Sequence, residues 1–600
     1  MFDVPAVPPT AGPRGAGATL ARRFRLWGVP RADTAPPDRP DRRPGGGPLP
    51  PAPLTRRRFL RASGGGLGLA ALGGAAYVAD RALTDTTPRT AGRPVHRRRP
   101  ATAAGSDAVR DVTLDSGVTV RSADWLVDEN ARPGTLDWVV SSTTQIYGYS
   151  DHVSAVPGDE VTLFVDPPRV PYTVELYRMG YYGGLGGRLV WTSPTLSGTA
   201  SQPPPTIDPT TFMVECQWRP TLRVGIEDGW PPGAYLFKLQ GSDDGLTAGY
   251  VPLCIRDDDS TAAFAVQHSV TTWQAYNAWG GRSLYVGPGD GATGEGGGAD
   301  RSRVVSFDRP YDDRGWGAPD FMSNEFPLVF LMESLGLDTT YFTDVDLHRE
   351  PARLLRHRCL FSLGHDEYWS SAMRDGAATA LAQGTNFAFL GANAVYRHIR
   401  LEDSPLGTDR RQVCYKTDLA QEDPLWGVQP AEVTADWPDP PVPRPEQQLV
   451  GSQYSDVAAR ADMVVTTADA WVFEGTGLAD GQHLTLVVEG EFDHYAPGLP
   501  GSPDNVTILA HSPVVNRGPG RYSDMTYYSA PGGGGVLATG SAAFVSKLAD
   551  APRIYSNTVH PAVPGVTGVL WRAMQNVFSV FGAGPASVTN PSVANWEQFA

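Results

Sequence analysis

Between residues 359 and 391 the chain spells out one unit that admits few folds. Cys359-Leu-Phe-Ser-Leu363 is an apolar run of strand length, closed by Gly364. Ser370 to Gln383 has helical spacing and stops at Gly384, and Asn386-Phe-Ala-Phe-Leu390 is a second apolar run, stopped by Gly391. Strand, helix and strand at this spacing form a βαβ unit, which calls for a mostly parallel sheet covered by helices. Ligands of such sheets bind beyond the carboxyl ends of the strands. Two segments therefore carry the interest, Gly364-His365-Asp366-Glu367-Tyr368-Trp369 and Gly391-Ala392-Asn393-Ala394-Val395-Tyr396. The same half predicts helices over Phe326–Gly336 and Trp571–Phe581, and strands over Leu484–Val488, Val506–Ala510 and Gly535–Ala538. Residues 424–447 are rich in Pro and acid and read as an insertion or a long loop.

The half before it has a different texture. Val161–Val165, Thr173–Tyr177 and Ala234–Leu239 are short β-rich runs separated by Pro-Gly-Asp, Gly-rich and Pro-Pro-Gly turns. That pattern predicts an antiparallel, Ig-like β-sandwich, although no Cys…Trp…Cys spacing accompanies it. The layout expected is a disordered tail over 1–54, an export segment over 55–80 and a linker over 81–115. The sandwich follows over 116–257, the α/β domain over 258–585 and a C-terminal tail over 586–600.

Charge separates the tail from the body. Residues 1–100 hold 18 Arg, no Lys and 6 acidic residues, whereas the rest holds 32 basic and 59 acidic residues. An acidic body repels phosphate backbones, which argues against nucleic acid as a partner. Thr55-Arg-Arg-Arg-Phe-Leu-Arg61 followed by a weakly apolar Gly/Ala/Leu stretch is the twin-arginine export pattern. It predicts a secreted or extracytoplasmic, membrane-anchored protein, exported after folding with any cofactor already loaded. No apolar run reaches the roughly 18 residues of a spanning helix. The four Cys make no disulfide scaffold; Cys216 with Cys254 and Cys359 with Cys414 are candidate pairs, and three connectivities are open.

The chemistry on offer lies at the predicted strand ends. His365, Asp366, Glu367 and Tyr368 follow one strand, Tyr396 follows another, and Glu489-Gly-Glu491-Phe-Asp-His494 follows a third. A capped turn explains such polar residues equally well, through bonds to the backbone of the next helix. Converging Tyr and Glu suit a hard metal, because phenolate is a poor ligand until a highly charged cation replaces its proton. Iron, above all Fe3+, matches that donor set better than zinc, for which no Cys-x2-Cys or His-x3-His spacing exists. A covalent nucleophile is disfavoured: neither Ser nor Cys stands at the tip of the elbow, Ser362 is within the strand and Cys359 reads as core. The Gly-rich runs 286–298 and 531–535 lack a phosphate-loop pattern and read as a flexible loop and a turn.

Several segments together resemble the large (beta) subunit of N,N-dimethylformamidase and its secreted relatives. They are Tyr177-Arg-Met-Gly-Tyr-Tyr-Gly-Gly184, Trp230-Pro-Pro-Gly-Ala-Tyr235, Ala275 to Tyr285, Gly364-His-Asp-Glu-Tyr-Trp-Ser370, Leu390-Gly-Ala-Asn-Ala-Val-Tyr396 and Gly490-Glu-Phe-Asp493. The resemblance spans roughly residues 115–585. It implies a β-sandwich followed by an α/β domain similar to class I glutamine amidotransferases. It also implies one mononuclear iron (Fe3+) per chain, with Tyr368, Tyr396 and Glu491 in the ligand positions. The implied reaction is hydrolysis of a small amide C–N bond, with His365, Glu367 and Glu489 as candidate bases and Asn516 as a candidate hydrogen-bond donor. Gly391-Ala392-Asn393 departs from the expected Gly-Gly-Asn. The enzyme of the family works with a small partner subunit, for which this chain has no fused counterpart; a homo-oligomer is a further candidate. The reading that competes is a non-catalytic cell-surface protein that binds cell-wall glycan, with the Tyr/Trp-rich segment 273–285 stacking on sugar rings. The same aromatics also suit packing between domains.

Overall fold

The computed structural model describes residues 108–140, 144–199, 201–243, 247–288, 300–312, 317–549, 563 and 565–599. The tail, the twin-arginine segment, most of the linker and most of the Gly-rich run 286–298 lie outside the described residues. The described residues all fall in one compact unit. Among the described residues no helix is long and apolar enough to cross a membrane.

Two sheets occupy the first part, antiparallel except where the short strands Thr144–Gln145 and Ser154–Ala155 pair parallel with Thr247–Ile255. Leu222–Gly225, Glu160–Asp166 and Tyr147–Ser150 make a three-stranded sheet. The larger sheet is built around Thr247–Ile255, Gly233–Gly241, Tyr172–Met179 and Gly187–Thr192. Val161, Leu163 and Val165 of the first meet Val174, Leu176, Tyr235, Phe237, Leu239, Val251 and Leu253 of the second in one core. The larger sheet is covered on its other face as well. Tyr177, Met179, Ala234, Leu236, Tyr250 and Cys254 belong to the core shared with Phe321, Phe326 and Phe330. Burial on both faces is why Ala234–Phe237 is apolar at every position and does not alternate.

The second part is a seven-stranded mixed sheet. Its strands are β1 (Phe264–His268), β2 (Thr339–Thr343), β3 (Cys359–Gly364), β4 (Asn386–Gly391), β5 (Thr507–Pro513), β6 (Tyr522–Ser529) and β7 (Gly535–Ala538). The spatial order is β2-β1-β3-β4-β7-β6-β5. The first five in that order run parallel, and β6 and β5 add an antiparallel edge. Helix α1 (Ser371–Ala382) is the crossover between β3 and β4, and α2 (Val566–Ala583) packs Phe578 on Phe264 and Phe361. The segment expected as a tail after 586 instead lies along the antiparallel edge, where Tyr527 donates to Asn590 O and Thr507 donates to Val593 O. All four Cys are free and buried, so neither candidate disulfide forms; they lie in three separate apolar clusters.

The Tyr177–Gly184 motif joins the two parts. Arg178 is fully buried and donates to Glu333 Oε1 (2.7 Å) and Oε2 (2.8 Å), on the helix Phe326–Ser334. Tyr341 also donates to Glu333, and Tyr182 donates to Glu129. Gly180 is required at this contact, since a Cβ would fall 2.1 Å from Glu333 Oε2. Glu333→Gln strands a buried guanidinium, and the expected loss is about 3–5 kcal/mol of unfolding free energy. Urea denaturation reads it; a loss below about 1 kcal/mol, the worth of an exposed pair, would show that the pair joins nothing.

Candidate active site

Two glycines let the ends of β3 and β4 lie side by side. Gly364 has φ +44°, and a Cβ there would meet Asn324 O at 2.4 Å; a Cβ on Gly391 would fall 2.0 Å from Gly364 O. The two turns that follow are laced together: Val395 N–H donates to Asp366 O, and the N–H groups of Tyr396 and Arg397 both donate to Glu367 O. Val395 is β-branched and still adopts φ +57°, a strained conformation that these bonds hold in place.

The helix-cap explanation of His365–Tyr368 does not describe the structure. Ser370 caps α1, its Oγ accepting from Met373 N–H. Asp366 turns inward, accepting from Ser362 Oγ (2.7 Å) and Gln267 Nε2 (2.8 Å). Glu367 points elsewhere and is the centre of a hydrogen-bonded cluster. Tyr276 donates to its Oε2 (2.8 Å), Tyr285 lies 3.0 Å from both oxygens, and Arg397 Nε donates to Oε1 (3.0 Å). His365 Nε2 lies 3.5 Å from Glu367 Oε2 and 3.0 Å from Glu491 Oε2. Burial opposes the Glu367 charge, but the His365 hydrogen bond, Arg397 and Lys416 hold its carboxyl well below the usual range. Burial likewise opposes charge on His365, but Glu491 and Glu367 outweigh it and raise its pKa well above the ordinary value.

The residues suggested as ligands surround this cluster. Tyr368 is fully buried, and its hydroxyl donates to Tyr285 Oη (2.8 Å). Burial, then the Glu367 charge, pushes its pKa well above 10. Tyr396 is half-buried, its ring 5.2 Å from that of Tyr454 and covered by the Arg397 guanidinium at 4.8 Å. Glu491, with 17% of its side chain exposed, also raises the pKa of Tyr454, behind the larger effect of burial. No hydrogen bond joins any two of Tyr368, Tyr396 and Glu491. Among the described residues no three His, Cys, Asp or Glu are grouped to hold a metal, so any such site depends on phenols. The donor chemistry would suit a hard cation: Glu491 Oε2 is buried and receives no hydrogen bond of good geometry, and the two phenols are the further oxygen donors such a site would need.

Glu491 arrives by a route the sequence did not suggest. It lies within the long strand His483–His494, not beyond its end, in a ribbon with Gln453–Val464 outside the mixed sheet. The stretch after β7 docks this ribbon: Ala542 N–H donates to Glu491 O, and Ser541 N–H donates to Gly391 O. Two other candidates are committed elsewhere. Glu489 accepts from buried Lys547 Nζ at 2.6 Å, and Asn516 uses both ends of its amide on the ribbon, at Ala458 O and Arg460 N–H. The aromatic segment 273–285 points inward. Trp273 donates to Glu325, and Trp279 packs on Tyr147 and Trp218, which leaves no platform of exposed rings. Sequence reasoning missed Tyr276, Tyr285, Arg397, Lys416 and Tyr454 as members of the site. The adjacency of Arg397 to Tyr396 was the available signal.

A family model described as N,N-dimethylformamidase beta subunit-like, C-terminal, matches residues 173–558. No curated protein matches the chain. Among solved structures, the cycloisomaltooligosaccharide glucanotransferase of Paenibacillus sp., complexed with cycloisomaltoheptaose, overlaps 22% of this chain and 16% of its own at 12% identity, with a TM-score of 0.12.

Buried acids around the site give it a pH signature. Burial pushes Asp320, which acts electrostatically on His365, up to about 7, and Glu446, which accepts from Tyr454 N–H, also to about 7. Free carboxyls titrate near 4, so both groups stabilise the fold fully below that value, and the contribution disappears as pH rises through 7. The melting temperature is expected to be lower at pH 8.5 than at pH 6, and Asp320→Asn with Glu446→Gln to reduce the difference, leaving the share of Asp493, which burial pushes up to about 8. An unchanged slope in the double variant would assign the effect to other groups.

Proposed function

The chain belongs to the N,N-dimethylformamidase beta subunit-like family, and on that premise we propose that it is a metal-dependent hydrolase that cleaves a small amide C–N bond. The observation that carries the reading is the hydrogen-bonded run Tyr368–Tyr285–Glu367 beside the ends of β3 and β4, extended by the close approach of His365 Nε2 to Glu367 (3.5 Å) and Glu491 (3.0 Å). Tyr368, Tyr396 and Glu491 would hold the metal, iron being the match for two phenolates and a carboxylate. When bound, it would polarise the amide carbonyl and lower the pKa of a water. The surrounding residues divide the remaining work. His365, raised in pKa by Glu491 and Glu367 against the opposing effect of burial, carries a proton at Nε2 that it can give to the departing nitrogen. The attacking water's proton restores it, so the C–N bond is replaced by C–O and N–H bonds with no net proton change at His365. Glu367 is saturated by Tyr276, Tyr285 and Arg397, which makes it an orienting carboxylate and not a free base. On the same reading the sandwich is Ig-like, the mixed sheet is of the class I glutamine amidotransferase type, and Thr55–Arg61 directs twin-arginine export. A small partner subunit is part of the proposal, from the family's description as beta subunit-like.

The test is elemental analysis and visible absorption of the full chain from iron-replete cells. The expected result is about one iron per chain with a phenolate-to-ferric band. Tyr368→Phe and Tyr396→Phe should each lose most of it, because Phe cannot ligate. Full iron retention in both variants would exclude this ligand set. His365→Gln should keep its iron and lose about 100-fold or more in turnover of a small amide; undiminished turnover would remove His365 from the mechanism.

A further inference from the structure

Tyr285 belongs to a segment whose aromatics suggested packing or sugar stacking, and the proposed reaction gives it no step. Its hydroxyl meets Tyr368 Oη at 2.8 Å and the Glu367 oxygens at 3.0 Å and 3.0 Å, and its side chain also hydrogen-bonds that of Tyr276. Its ring is gripped on both faces. Tyr276 stacks on it with centroids 4.2 Å apart, and Lys416 Nζ sits 3.0 Å from its centroid, which sterics require to be the opposite face. Ser283 Oγ accepts from Tyr285 N–H and Val286 N–H, which fixes the backbone turn that delivers the ring. Lys416 is itself held in place. It is 5% exposed, adopts φ +61°, and donates its N–H to Thr434 O. A left-handed, β-carbon-bearing residue kept beneath one ring indicates a backbone that the surrounding structure over-determines.

We propose that Tyr285, clamped between Tyr276 and Lys416, is a positioning residue that aims the Tyr368 oxygen at the metal of the proposed site. The inference rests on the functional reading above and deepens it. A phenol buried in an apolar pocket can rotate about its side-chain bonds, and a hydrogen bond at the oxygen removes that freedom. Once Tyr368 ligates as a phenolate, the Tyr285 hydroxyl can turn to donate to the same oxygen, so the contact persists in both states. Orienting partners of this kind commonly change metal affinity by about 10–100-fold. Tyr276 provides the comparison, since it shares the Glu367 contact and bonds Tyr285 but meets Tyr368 only edge-on, with centroids 6.4 Å apart.

The experiment compares wild type, Tyr285→Phe and Tyr276→Phe by competition for iron with a chromogenic chelator and by the position of the phenolate band. Tyr285→Phe is expected to surrender iron about 10–100-fold more readily and to shift the band, with Tyr276→Phe close to wild type. An unchanged Tyr285→Phe overturns the proposal. Equal shifts in both variants overturn it as well, since the effect would then run through Glu367. A wild type that holds no iron overturns the functional reading and this inference together, whereas an iron-loaded wild type beside an unchanged variant overturns the inference alone. Should Tyr285→Phe fail to fold, Lys416→Met keeps every hydroxyl and removes only the amine from the ring face. A band shift in Lys416→Met supports the clamp, and an unaltered band overturns it.

Discussion

The Glu367 carboxylate keeps its charge in the interior, and an ion there is tolerated only if its oxygens are filled by donors. Filling them recruits side chains from three places: Tyr276 and Tyr285 from the aromatic segment, Arg397 from the turn after β4, and His365 from its own turn. The backbone of Glu367 works in parallel, its C=O accepting from Tyr396 and Arg397 and its N–H donating to Thr272 Oγ1. One residue thereby fixes the spatial relation of the two turns and the segment that wraps them. Replacing that charge would release all three, which is why the cluster behaves as a unit.

A second buried ion pair sets the frame around it. Arg178 and Glu333 are both fully buried, one on the sandwich and one on a helix covering the mixed sheet. Each would be costly alone, so the pair ties two layers that apolar packing by itself would let slide. The match of the family model starts within the strand Tyr172–Met179 and runs through the mixed sheet, so it includes both ends of this tie.

The parts most legible in the sequence were those governed by local rules. Cys359–Gly364, the helix from Ser371 and Asn386–Gly391 stand where apolar runs and glycine stops placed them. Gly364 and Gly391 mark the point where two backbones touch, a demand that only glycine meets. Glu491 was harder. The run ending at Val488 continues as a strand through His494, because pairing with Gln453–Val464 carries it past a glycine that would otherwise signal a stop. Glu489 stands two residues away with the same chemistry, and only the position of Lys547 separates its role from that of Glu491. The inward turn of Tyr276 and Tyr285 had no local signal, since an aromatic loop has the same composition whether it faces solvent or a buried acid.

What the sequence by itself determined was the set of elements and the two strand ends that carry His365, Glu367, Tyr368 and Tyr396, because strand length, helical period and glycine stops are properties of neighbouring residues. Tertiary structure alone decided which of these groups meet, which carboxylate is a counter-ion and which faces the site, and that Tyr285 bridges Tyr368 and Glu367. Those outcomes depend on contacts between residues tens to hundreds of positions apart, such as Glu489 with Lys547 and Arg178 with Glu333. Their energies come from the cost of burying charge, and the local pattern of the chain does not encode that cost.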